Sequence, residues 1–183
     1  MRMGTRQRHT PEQIIPNVRE GDKRIGSGQR HGRGRQAVGD DMGTWDAGPF
    51  DNDNAADWCG ELHDAAVEQR VALIRRALTI VADCGADDYL DGDMADEAVA
   101  AAAVVASRLP GGPPITSGYA PAFLRDGGNI ALPGDLPALA VRALDRVDGE
   151  NSELRGLWGA GYSQVLEERR PIRSALERGA AAP

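Results

Sequence analysis

Cysteine, histidine, lysine and aromatic residues are all scarce in this chain, and each shortage removes a class of function. Two cysteines among 183 residues, Cys59 and Cys84, are too few and too isolated for a disulfide framework. Of the three histidines, His9, His31 and His63, only His63 follows residue 41. A Ser-His or Cys-His catalytic pair therefore rests on one imidazole. Cys59 and His63 lie four apart with Cys84 as a further soft ligand, short of the set a zinc site ordinarily needs. They read as a buried cysteine and a surface histidine. Long apolar runs are missing too. The longest, Ala98–Ala106, is under half of the ~20 residues that a membrane span requires. The amino terminus has arginines but no apolar core of a secretory signal. No Gly-x-Ser-x-Gly, P-loop or dinucleotide fingerprint occurs. These absences predict a cytoplasmic protein without a cofactor.

What is present is divided unevenly. Residues 1–41 hold nine Arg/Lys against five Asp/Glu, a balance of +4, and residues 42–183 hold twelve against twenty-three, a balance of −11. Lys23 is the sole lysine, which with the alanine runs indicates GC-rich coding. An acidic body repels nucleic acid and anionic membrane and favours a basic protein partner. The leading segment is interrupted by Gly26, Gly28, Gly32, Gly34 and Gly39, each unfavourable in a helix by about 1 kcal/mol relative to alanine. It reads as a disordered basic tail with a seam at Met42.

Within that tail, Arg8-His9-Thr10-Pro11-Glu12-Gln13-Ile14-Ile15 resembles the start of OrfA-type insertion-sequence transposases. Thr10 suits a helix cap, and Pro11 its first position. Pro16 then falls where the resemblance implies a continuing helix, and the likeness ends near Ile25. Codons compatible with Gln29–Asp40, read one base later, encode a string similar to the second helix of that helix-turn-helix. Residues 1–41 are thus expected to be a frameshifted transposase remnant, and DNA binding is the function such a fragment implies.

After Met42 come Gly43, Trp45, Gly48, Phe50, Asn52, Asp53, Ala55, Asp57 and Trp58. This spacing resembles the opening of a bacterial family, domain of unknown function 4259. The resemblance implies that Trp45, Gly48, Phe50, Asn52, Asp53, Asp57 and Trp58 form a signature of structural residues, that Met42 is the ancestral start, and that the family occupies most of 42–178. It implies no activity.

Apolar spacing predicts an all-α fold, an irregular bundle of about five to six helices. A first helix is capped by Asp51, Asn52 or Asp53 and ends near His63. A second carries Val67, Val71, Ile74, Leu78 and Val81 inward and stops at Gly85. A third runs over 93–109 with Val99, Ala102, Val105, Ala106 and Leu109 on one side. A short helix over 121–125 interrupts the Gly/Pro-rich stretch 110–133. A fourth main helix covers 134–148 with Leu136, Leu139, Ala140, Ala143, Leu144 and Val147 inward. Ser152 caps the next, whose stripe is Leu154, Leu157 and Trp158. Pro171 is expected to kink or break the last helix, over 162–178, and residues 179–183 to be disordered.

Two acidic groups are candidate sites. Asp51, Asn52, Asp53, Asp57 and Glu61 place carboxylates on one helix face, and Asp51, Asp53 and Asp57 are the candidate metal ligands of a metal-assisted hydrolase. Helix capping explains the same residues without a metal. The second group, Asp83, Asp87, Asp88, Asp91, Asp93, Asp96 and Glu97, reads as a solvated acidic surface or a place for Ca²⁺ or a basic partner. Trp45, Trp58 and Trp158 read as core anchors. The sequence favours a non-enzymatic acidic binding domain of an inhibitor or immunity-like kind, with the hydrolase and the DNA-binding fragment as its rivals.

Overall fold

The computed structural model describes residues 48–182, which belong to the second of the two units into which the chain divides, Met1–Met42 and Gly43–Pro183. The tail reading of residues 1–41 and the anchor role of Trp45 lie outside the described residues. Among the described residues seven α-helices follow one another: α1 Asp53–Asp64, α2 Val67–Ala82, α3 Gly92–Ser107, α4 Ala122–Arg125, α5 Leu136–Val147, α6 Glu153–Trp158 and α7 Tyr162–Ala180. A 3-10 turn at Gly159–Gly161 joins the last two. Among the described residues the only β pairing is an isolated parallel bridge between Leu90 and Ser152. The all-α expectation therefore holds.

The third helix is the axis of the fold. Ala95, Asp96 and every residue from Ala98 to Ala106 are buried, so α3 is covered on all sides rather than along one stripe. Its alanines and valines are small enough to let α1, α2, α5 and α7 pack around it. The one-sided reading of α3 fails for this reason, and Leu109 lies beyond the helix end, half-buried. α5 behaves as its pattern predicts, with Leu136, Leu139, Ala140, Ala143, Leu144 and Val147 all buried. In α2, Ile74, Leu78 and Val81 are buried, but Val67 at the helix start is 63% exposed and Val71 only partly covered. That helix ends at Ala82, before Gly85, whose missing side chain admits Asp88: a Cβ there would lie 2.7 Å from Asp88 Oδ2.

Three further expectations are corrected. Ser152 occupies the N-cap position of α6 but makes no capping bond. Its neighbourhood is organised instead by the bridge, in which Leu90 N donates to Asn151 O at 2.9 Å and Glu153 N to Leu90 O at 3.0 Å. Leu157 is 68% exposed because α6 is a single short run that buries only Leu154 and part of Trp158. Pro171 does not break α7, which is continuous from Tyr162 to Ala180. Buried Val165 and Arg169 before the proline, and Ile172, Ala175 and Leu176 after it, hold both halves against the core. Gly179 lies within α7, and its missing side chain lets the helix approach Leu109, where a Cβ would come within 2.7 Å of Cδ1.

Candidate functional site

Residues at the start of the described domain make a set of polar contacts beside a groove. Asn52 caps α1, its Oδ1 accepting from Ala55 N at 2.8 Å. Asp51 turns the other way and accepts from Ser117 Oγ at 2.7 Å, tying the lead to the loop after α3. Gly48 leaves room for that carboxylate, since a Cβ on it would stand 2.0 Å from Asp51 Oδ2. Phe50 and Trp58 are buried in the core, as anchors should be. Asp53 and Asp57 are exposed on α1.

Those contacts frame a cavity of about 460 Å³, lined by Gly48–Asp51, Pro113–Tyr119, Ala103, Glu168, Pro171 and Ile172. Among the described residues its charged lining residues are both acids, Asp51 and Glu168. Prolines, Phe50, Ile115 and Ile172 supply apolar wall, and Tyr119 stands 65% exposed at its side. The loop that forms one wall belongs to the Gly/Pro-rich stretch whose sequence gives no helical period.

The two acidic groups of the sequence meet in space. Asn54 Nδ2 donates to Asp93 Oδ1 at 3.0 Å and to Asp96 Oδ2 at 3.1 Å, which places the first turn of α1 against the first turn of α3. Asp96 is not part of a solvated surface: it is 7% exposed, and burial pushes its carboxyl above the ordinary aspartate range against the opposing pull of Asn54 and Arg169. Glu97 is also raised, by burial first and then by the nearby charge of Glu61. Ion pairs are segregated. In the later half Asp145, Asp148, Glu167 and Glu177 pair with arginines of α7, and Asp135 pairs with Arg75 of α2. Among the described residues Asp53, Asp57, Glu61, Asp64, Asp83, Asp87, Asp91 and Asp93 take part in no ion pair.

The structure does not gather Asp51, Asp53 and Asp57 into one chelating set, and among the described residues no three of His, Cys, Asp and Glu converge as metal ligands. Cys59 is buried and its thiol is pushed up to about 12 by loss of solvent, far from a thiolate at neutral pH. His63 is exposed and stacks on Phe123 with ring centres 6.1 Å apart. Arg70 lies over the same Phe123 ring at 3.8 Å and donates to the carbonyls of Ala65 and His63, closing the end of α1.

Two polar clusters were not legible as sites. Arg146 is buried, with Nε 3.2 Å from Cys84 O and 3.1 Å from Gly85 O and Nη2 2.5 Å from Asp88 O, so that one guanidinium gathers the loop after α2. In the other, Tyr162 donates to Asp148 Oδ1, and Arg173 binds the same carboxylate through Oδ2 at 2.9 Å. Burial and then Asp148 raise the Tyr162 phenol above its ordinary range. Arg169, 7% exposed, reaches Asp148 at 3.5 Å. The available signal was a charged residue standing on an apolar stripe: Arg146 continues Leu139 and Ala143, and Arg169 continues Tyr162 and Val165.

No helix among the described residues is long and apolar enough to cross a membrane. Comparison with curated proteins and with solved structures yields no match. Comparison with protein families yields one that begins a residue after the Met42 seam and reaches into the first turns of α7. Over residues 43–168, most of its length, the chain belongs to the family described as Domain of unknown function (DUF4259).

Proposed function

We propose that residues 42–178 act as a non-enzymatic, cytoplasmic binding domain for a basic protein, in the manner of an inhibitor or immunity protein. The observation that carries this reading is the acidic edge formed where α1 meets the start of α3, where Asp53, Asp57 and Asp93 take part in no ion pair among the described residues. Glu97, raised first by burial and then by Glu61 against the pull of Arg76, stands beside this edge. An edge of one sign steers an oppositely charged partner and raises its rate of encounter. The arginines that neutralise the later half leave Asp53, Asp57 and Asp93 available.

Affinity capture from the native host, followed by identification and purification of the captured protein, tests the reading. A basic partner is expected, with binding weakened in a D53K/D57K/D93K variant that remains folded. Recovery of no partner, or of one indifferent to that reversal, refutes it. Residues 1–41 we assign to a transposase remnant, on the Arg8–Ile15 string alone. Upstream genomic DNA that does not read as transposase in the shifted frame overturns that assignment.

A further inference from the structure

We infer that the groove between Pro113–Tyr119 and α7 is a receptor for an arginine side chain presented on an extended segment of the basic partner. This rests on the binding reading above but names a different part of the surface. The edge at Asp53, Asp57 and Asp93 steers; the groove reads a residue.

The groove has the volume and mixed lining of a ligand pocket, about 460 Å³ with apolar walls and a few polar groups. Among the described residues that line it, the charged ones are Asp51 and Glu168, on opposite elements, and none is a Lys, Arg or His. Asp51 is fixed in place, one oxygen accepting from Ser117 Oγ at 2.7 Å and the other lodged over the bare Cα of Gly48. Glu168 has a single partner, an exposed Gln164 amide at 3.4 Å.

The two carboxylates make a wall rich in acceptors. Lysine would satisfy it with a point charge, whereas guanidinium presents five donors in a plane and also lies flat on an aromatic face. Tyr119 supplies that face at the side of the groove, and Pro113, Pro114 and Ile115 cover an aliphatic stem. An extended backbone suits the open side, where Thr116 and Gly118 are exposed.

The probe is the peptide acetyl-Pro-Arg-Pro-amide, titrated into the full chain and followed by amide chemical shifts. Its citrulline analogue keeps the shape and removes the charge. The arginine peptide is expected to shift resonances of 113–119 and 168–172 and to bind at least about tenfold more tightly than the citrulline peptide. E168Q and Y119A, both at exposed positions, are each expected to weaken it several-fold, and D53K/D57K/D93K to leave the shifts at 113–119 unchanged. Equal binding of the two peptides, no shifts at 113–119, or indifference to both E168Q and Y119A overturns the proposal. If in addition the captured partner still binds wild type more tightly than D53K/D57K/D93K, the groove proposal fails alone and the acidic-edge reading stands.

Discussion

Removing the guanidinium of Arg146 is expected to destabilise the domain by about 3 kcal/mol. That side chain is 8% exposed and donates from Nε and Nη2 to carbonyls of Cys84, Gly85 and Asp88, with Asn151 O at 3.5 Å. Hydrogen bonds to a charged group are worth roughly 1.5–3 kcal/mol each, but bonds sharing one donor group do not add. Gly85 and Asp88 are exposed residues whose carbonyls recover water after the change, which holds the total near the lower end of the about 3–5 kcal/mol seen on breaking a buried charged contact. Arg146→Met keeps most of the stem and isolates the donors. With a urea dependence of about 2–3 kcal/mol per molar, the midpoint of unfolding should fall by roughly 1–1.5 M. Arg146→Lys should recover less than half of the loss, because one ammonium lacks the planar fork that spans these acceptors. A midpoint for Arg146→Met within about 0.2 M of wild type, at unchanged slope, refutes the assignment of Arg146 as the clasp of the 83–90 loop.

Three other outcomes are expected. Asp96→Asn should stabilise the protein at neutral pH. The folded pKa of Asp96 lies above its unfolded value, so ionisation disfavours the native state; the gain is full above the raised pKa and fades as pH falls through it to the ordinary aspartate range, as urea titrations at several pH values will read. Cys59 should resist iodoacetamide at pH 8 in the native state and react only after denaturation, as peptide mass mapping shows; rapid native labelling contradicts its burial and its pKa of about 12. Pro171→Ala should raise stability by about 1–3 kcal/mol by restoring the helical donor to Glu167, and a thermal midpoint at or below wild type contradicts that missing bond.

Period and punctuation made the helices legible. The 3.6-residue stripe of α5 is fully reproduced, and Asn52, Ser152 and Pro121 mark helix starts within a residue. Where reading failed, a tertiary neighbour decided. Alanine has too little hydrophobicity to announce which way it faces, so the all-round burial of α3 was invisible until four helices surrounded it. Proline carries a local penalty, yet Ile172 and Leu176 anchor α7 beyond Pro171 and outweigh it. Asp96 sits in an acidic run that looks solvated, and only the partnership with Asn54 and the proximity of Arg169 explain its burial. The groove was least visible of all, because the loop 113–119 has no period and meets Asp51 across sixty-six positions of sequence through Ser117.

The acidic edge is the core of the functional account, and association kinetics test it most directly. With the captured partner in hand, the association rate constant should fall at least about tenfold between 20 and 200 mM salt. For D53K/D57K/D93K it should be slow at low salt and nearly flat across the same range. A rate that is independent of salt and unchanged by the reversal would contradict the account.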